Sequence, residues 1–118
     1  MRYLMFVVAD PTGEKSELDV EEWVTTHDSQ GVRLDGERLR PVEDATTVRV
    51  RGGEVIVTDG PFTESKEWIA GYDLLECDSL EEAVAVALQH PMAQEGAIEV
   101  RECWPLDLAE FPETRAAR

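Results

Sequence analysis

The clearest structural pattern of the chain lies in residues 57–91, VTDGPFTESKEWIAGYDLLECDSLEEAVAVALQHP. After a rigid turn and a charged loop, a long strand is predicted over residues 67–77, where mostly apolar side chains occupy both faces. Ser79 and Glu82 then form a capping box, which predicts the start of a helix. Pro91 ends that helix, because proline disfavours helical backbone at the residue before it. The stretch therefore predicts a buried sheet strand followed by a helix.

The apolar residues of this helix repeat at helical spacing, which predicts the face that packs on the sheet. They are Leu80, Ala83, Val84, Ala87 and Leu88. His90 stands at the carboxyl end of the helix, where the helix dipole favours a protonated imidazole. A stabilising cap is therefore the structural interpretation of His90, and a second proton carrier is the functional one.

The DGPF turn at residues 59–62 is stiff, because Pro61 fixes its own φ angle and pushes Gly60 out of the helical region. We expect the Asp59 carboxylate to accept a hydrogen bond from the amide of Phe62 or Thr63, as in Asx-type turns, and Phe62 to be an inward anchor. A turn closed by its aspartate is favoured over a functional role of Asp59 as a base or ligand anchor.

A second apolar run, Arg2 to Ala9, predicts another strand that is buried on both faces. A helix is predicted after it, because Ser16 and Asp19 resemble a capping box with the shorter acid and Gly31 is a typical helix end. His27 falls at the edge of the apolar stripe of this helix. A core-edge histidine bonded to a carbonyl is the favoured interpretation, and a ligand or base is the alternative.

A hairpin is predicted between the two halves of the chain. Residues 32–41 are extended and charged, and the segments TTVRVR and EVIVT then join across the glycine pair 52–53. Thr47, Arg49 and Arg51 alternate with valines, which marks their face as solvated. The hairpin is therefore predicted to lie near an edge of the sheet.

Length and charge limit the classes of function. The 118 residues fit one domain, residues 1–118, with a loosely docked tail from about residue 105. A net charge of −15 repels nucleic-acid backbones and anionic membrane surfaces. The apolar run at the amino terminus is too short to span a membrane. Cys77 and Cys103 lack metal-ligand spacing, which predicts free thiols in a reducing cytoplasm.

The order of elements predicts an α+β fold. With a last strand over residues 97–104, the order is strand, helix, hairpin, strand, helix, strand, so two helices can cover only one face of an antiparallel sheet. Both long strands carry apolar residues on both faces, and no further element is large enough to hide the second face. The sequence therefore predicts a homodimer.

The motifs TDGPF, ESKE, GYDL and DSLEEA resemble the DGPF branch of the YCII-related proteins, and the resemblance extends from RYLMFVV to IEVRE. It implies a ferredoxin-like antiparallel sheet, with two helices on one face, that pairs into a dimeric α+β barrel. A ligand cleft is then expected at the rim of the sheet near the DGPF turn. The residues of this candidate pocket are Asp59, Gly60, Pro61, Phe62, Glu64 and Lys66.

The family is also associated with a His-Asp pair carried by the first helix and the segment after it. Aligning the glycine that ends this helix with Gly31 places a valine, near Val20, where that histidine would be. His27 lies about two helical turns too late. The pair therefore does not carry over to this chain.

The favoured prediction is a small cytoplasmic accessory or ligand-binding domain with a cleft near the DGPF turn. The alternatives are a small enzyme that uses Asp59 and His90 for acid–base chemistry, and a protein-binding module linked to a sigma factor, since DGPF proteins resemble modules found beside or fused to such factors. No metal, cofactor, nucleic-acid or membrane partner is predicted, because the histidines are dispersed and nucleotide motifs and a basic stripe are absent from the sequence.

Overall fold

The structure, a computed structural model, describes residues 1–62 and 66–106. The described chain folds into β1 (Arg2–Ala9), α1 (Val20–Ser29), β2 (Arg33–Arg38), β3 (Thr46–Arg51), β4 (Glu54–Asp59), β5 (Trp68–Glu76), α2 (Leu80–Leu88), α3 (Met92–Glu95) and β6 (Ala97–Glu102), with a short 3-10 helix at Val42–Asp44. Its main sheet has antiparallel strands in the order β2-β5-β1-β6. The α+β class is therefore confirmed, with three helices in the described chain instead of the two predicted.

One face of the main sheet forms the hydrophobic core with the helices. Tyr3 and Met5 of β1 and Leu75 of β5 are buried in one cluster with Trp23 of α1. Ala83, Val86 and Ala87 of α2 belong to the same cluster. The predicted strands β1 and β5 are confirmed. The face that carries Tyr3, Met5 and Leu75 is the one that meets the helices.

The start of α1 differs from the prediction, whereas its end agrees. Asp19 is the N-cap, since its carboxylate accepts a hydrogen bond from the Glu21 amide at 2.9 Å. Ser16 instead accepts from the Leu18 amide at 3.0 Å, so the predicted capping box is wrong. At the other end Gly31 has a φ angle of +72°, a left-handed conformation that favours glycine and ends helices.

The packed face of α2 is rotated relative to the predicted stripe. Ala83 and Ala87 are buried as expected, but Val86 is buried too, whereas Leu80, Val84 and Leu88 are exposed. The indole Nε1 of Trp23 donates a hydrogen bond to the Val86 carbonyl oxygen at 2.9 Å. This bond holds the Val86 side of α2 against α1, which leaves the leucine side in solvent.

The hairpin β3-β4 forms a separate two-stranded sheet, so it does not extend an edge of the main sheet. β2 occupies that edge, and its polar sequence RLDGER suits a strand with a single neighbour. The two faces of the hairpin are also reversed. Thr47 and Arg49 are half-buried, because Thr47 Oγ1 donates to the Gly60 carbonyl oxygen at 2.8 Å and Arg49 lies over the Phe62 ring, whereas the valines are exposed.

The second face of the main sheet is apolar but only half-buried in the single chain. It carries Leu4 and Phe6 of β1, paired with Leu74 and Tyr72 of β5. Because the side chains of α1 and α2 pack in the core on the opposite face, they do not cover these residues. A single chain therefore leaves an apolar sheet face partly open. Across the ranges described, no helix is long and apolar enough to cross a membrane.

Candidate functional site

A cavity of about 490 Å³ lies between the core face of β2 and β5 and residues of α1 and α3. Its walls are largely apolar, formed by Val7, Val20, Val24, Ala70 and Met92. The polar and charged side chains that line it include Arg33, Arg38, Asp73 and His90. An apolar cavity with a few fixed polar groups is the usual form of a small-molecule site in proteins.

Asp73 is the buried acid of this cavity. It comes from the middle of β5 and is only 6% exposed. Burial raises the pKa of Asp73 above its ordinary value, and the neighbouring Arg33 guanidinium opposes that shift. The Nε of Arg33 donates to Oδ1 of Asp73 at 2.7 Å, and no described residue donates to Oδ2. No fully buried side-chain oxygen of the described residues lacks a hydrogen-bond partner, so Oδ2 keeps some exposure. Oδ2 is therefore available to a ligand.

Arg33 is held by three partners of its own chain. Besides Asp73, its Nη1 donates to Asp28 Oδ1 at 3.0 Å and its Nη2 to the Gly36 carbonyl oxygen at 3.0 Å. A guanidinium with all three nitrogens engaged positions its acceptors and has little left to offer a ligand. Arg38 differs, because its side chain makes no hydrogen bond or ion pair with the described residues and lines the same cavity.

Gly36 makes room for the ion pair of Arg33 and Asp73. A Cβ atom added there would overlap Asp73 Oδ1 and would lie 2.7 Å from Arg33 Nη2 and 2.8 Å from the Tyr72 carbonyl oxygen. Any other residue at this position would therefore push the guanidinium and the carboxylate apart.

His90 is buried, at 4% exposed, and lies directly after the end of α2. Its Nδ1 accepts a hydrogen bond from the Met92 amide at 3.0 Å, so the neutral ring carries its proton on Nε2. Burial lowers the pKa of His90 to about 4, with Glu95 opposing the shift and His27 adding to it. The predicted protonated cap is therefore wrong, because removal from water outweighs the helix dipole.

Trp23 holds both histidines in place. Its ring packs edge-on against His90, with ring centroids 4.7 Å apart, and tilted against His27 at 4.8 Å. His27 Nδ1 donates to the Trp23 carbonyl oxygen at 2.7 Å, which confirms the predicted carbonyl-bonded histidine. The aromatic cluster thus fixes the ring of His90 from the side of the core.

The burial of His90 predicts a loss of stability in acid. Because the unfolded chain binds a proton at His90 near pH 6.5 and the folded chain only near pH 4, protonation favours unfolding as the pH falls between these values. We expect the free energy of unfolding to fall by about 2 kcal/mol from this group between about pH 7 and about pH 5. Urea unfolding at both pH values measures this loss.

The matched variant is His90→Asn, whose amide oxygen can still accept from the Met92 amide but does not titrate. Asp73 contributes to the pH dependence of stability in the opposite direction, because its protonation at lower pH relieves the cost of burying its charge. The difference between wild type and His90→Asn removes that contribution. Equal pH dependence of the two proteins would show that His90 is not the group responsible.

The DGPF turn forms a different site. Asp59 is exposed at the end of β4, and the Gly60 amide donates to the Ala45 carbonyl oxygen at 2.6 Å, with a Gly60 φ angle of +102°. Phe62 is 70% exposed, so the predicted inward anchor is wrong. Among the described residues Asp59 accepts no hydrogen bond from the Phe62 amide, and the alternative donor, Thr63, lies outside them.

A groove of about 600 Å³ does lie beside this turn. Pro61 and Phe62 line it together with Trp68, Ile69 and Leu39, whereas Asp59 is not among its lining residues. Of the other residues predicted for the pocket, Lys66 is exposed and Glu64 lies outside the described ranges. The structure therefore does not bring Asp59 and His90 to one site, because His90 lines the cavity next to the core.

Asp73, Arg33 and Gly36 were not predicted as residues of the site. A signal for Asp73 was present, since a single acid interrupts the apolar strand WIAGYDLLE. Arg33 and Gly36 carried no such signal, because they lie in a charged segment that was not predicted as a sheet strand. Within the described parts of the chain, no group of three or more His, Cys, Asp or Glu residues is arranged to hold a metal ion.

The comparisons with known proteins agree with the sequence motifs. An uncharacterized protein of Rhizobium meliloti (strain 1021) is 46% identical over 66 residues, which cover 54% of this chain. The same alignment spans 53% of that protein, so the chain matches about half of its curated relative. The family model for the YCII-related domain matches residues 1–107, nearly the whole chain. The chain therefore belongs to the YCII-related domain family.

Proposed function

We propose that the protein binds a small organic molecule in the cavity beside Asp73 and His90. The observation that carries this proposal is a buried carboxylate with one oxygen that accepts no hydrogen bond from the described residues, in a largely apolar cavity of about 490 Å³. Burying a charged group lowers the stability of the fold, so a functional use would explain why the group is there. Buried groups with shifted pKa values cluster at functional sites.

The polar groups of the cavity define the chemistry of the ligand. Asp73 Oδ2 accepts a hydrogen bond, so it suits a hydroxyl or amine of the ligand. His90 presents an Nε2–H donor when neutral, which suits a carbonyl or other acceptor. Arg38 lines the same cavity, pairs with none of the described acids and suits an acidic group of the ligand. A small hydroxy acid with an apolar body satisfies all three.

The assembly we propose is a homodimer built on the half-buried second sheet face. The strand order β2-β5-β1-β6 is that expected of a ferredoxin-like sheet, and pairing two such faces would give a dimeric α+β barrel. Leu4, Phe6, Tyr72 and Leu74 would then be buried between subunits. A cytoplasmic location belongs to the same proposal and rests on the free thiols of Cys77 and Cys103.

The ligand proposal is tested by NMR titration with a set of small aliphatic and aromatic hydroxy acids. We expect shifts of the Gly36 and Gly71 amides, which line the cavity. Asp73→Asn should weaken binding by roughly tenfold or more, because a neutral amide replaces the charged acceptor that the cavity offers. Asp78→Asn is the control, since Asp78 is exposed and does not line the cavity. Shifts confined to the groove beside Phe62, or equal effects of both variants, would contradict the proposal.

Acid–base chemistry at the same cavity is the second candidate function. The raised pKa of Asp73 brings it closer to the value that suits a general base, and the neutral His90 is placed to hold an acceptor oxygen. Asp73 takes the role predicted for Asp59, because Asp73 shares the cavity with His90. A ligand that Asp73→Asn still binds but no longer converts would identify this function. The link to a sigma factor stays a prediction.

A further inference from the structure

The hairpin carries an apolar face that its own chain leaves uncovered. We name residues 46–59, which comprise β3, β4 and their turn, the arm. Within the arm Val48 pairs with Val57 and Val50 with Val55, so all four side chains lie on one face. Their exposed fractions are 65%, 61%, 56% and 67% in that order. Four neighbouring valines exposed to this extent form a surface that soluble proteins usually cover.

The arm has little support from the rest of the chain. Its strands contact each other extensively, and among the described residues they contact the other strands and helices only sparsely. The face that turns toward the chain is the polar one, with Thr47 bonded to Gly60 and Arg49 over the Phe62 ring. A two-stranded hairpin is marginally stable in water without a further packing surface. The valine face therefore needs a partner.

The charge distribution of the arm favours a second copy of this chain as that partner. The arm holds two arginines and two acids and is neutral, although the whole chain carries −15. Because side chains alternate, Arg49, Arg51 and Glu54 lie on the face opposite the valines. The four valines themselves carry no charge, and the one charged residue of their face is Asp59, at its far end beside Thr46. Two strongly acidic copies therefore meet little repulsion at the valines. A basic partner would instead be attracted to the acidic remainder of the chain.

We propose that the valine face of the arm packs against a second copy of this chain. The contact rests on the homodimer proposed above and extends it beyond the main sheet. The DGPF turn follows directly after the arm, and its bond from the Gly60 amide to the Ala45 carbonyl oxygen closes the base of the arm. The motif then serves to set the direction in which the arm reaches its partner.

The test is the dimer dissociation constant of the full chain, measured by sedimentation equilibrium. Val57→Lys should raise this constant by roughly tenfold or more, because a charge would be buried at the contact. Thr58→Lys is the matched control, since Thr58 is the next residue, is exposed and lies on the opposite face. It adds the same positive charge and should change the constant less than about twofold.

Val57→Thr provides a second variant that keeps the shape and strand preference of valine, and it should weaken the dimer in the same direction. Circular dichroism of each variant at low concentration reports whether the monomer is folded. A wild-type dimer with equal constants for Val57→Lys and Thr58→Lys would overturn the arm contact and leave the sheet-face dimer standing. A wild-type chain that stays monomeric at micromolar concentration would overturn both.

Discussion

Replacing Trp23 with alanine is expected to lower the free energy of unfolding by about 4 kcal/mol. Trp23 is 3% exposed, and its ring separates the two histidines at centroid distances of 4.8 and 4.7 Å. The variant therefore loses a large buried side chain, the hydrogen bond to the Val86 carbonyl oxygen and the contact that fixes His90. Urea unfolding at neutral pH measures the change.

Trp104→Ala is the natural control, because Trp104 is 95% exposed in the single chain. We expect it to change the stability of the monomer by less than about 0.5 kcal/mol. Trp23→Phe keeps an aromatic ring without the indole N–H. Its loss of unfolding free energy should lie between those of Trp23→Ala and Trp104→Ala. If Trp23→Ala and Trp104→Ala were equally stable, the described position of α1 against α2 would be incorrect.

Gly36→Ala is expected to lower the free energy of unfolding by about 3 kcal/mol, the cost of disrupting a buried ion pair. The added methyl group would overlap Asp73 Oδ1 and crowd Arg33 Nη2 at 2.7 Å. Because the nearby Tyr72 carbonyl oxygen belongs to the backbone, moving side chains alone cannot relieve the overlap. Chemical denaturation reports the stability, and the hydroxy-acid titration should show binding weakened along with it.

Glu37→Ala on the same strand is the comparison, since Glu37 is exposed and its side chain makes no hydrogen bond or ion pair with the described residues. Its stability should stay within about 0.5 kcal/mol of wild type. A Gly36→Ala protein as stable as Glu37→Ala would mean that Arg33 and Asp73 are not held together through this glycine.

Periodicity was sufficient to predict the strands β1 and β5, both long helices and the hairpin turn, because each has a pattern that local chemistry dictates. Periodicity could not predict which elements pack against each face of a strand or helix. The valines of the hairpin were expected inside and are exposed, since the alternation of Val48 and Val57 with polar residues is the same whichever face is covered. The position of β2 was missed because an edge strand can be fully polar.

The candidate site was less predictable, because its properties arise from packing. His90 was identified, but its protonation depends on burial by Trp23, which no local pattern encodes. Arg33 and Asp73 are 40 residues apart and meet only through the pairing of β2 with β5. Asp59 was singled out by a local motif, and local motifs predict turns better than they predict sites.

The hydrogen bonds of Arg33 to its three partners have a consequence for how tightly a ligand can bind. They lock the Asp73 carboxylate in one orientation before any ligand arrives, with Oδ1 held and Oδ2 left open. Binding then need not freeze a mobile side chain, so the entropic penalty of association is reduced. A carboxylate with a single open oxygen also accepts from one direction. The site would thus distinguish ligands of equal charge and size by the direction of their hydrogen-bond donor.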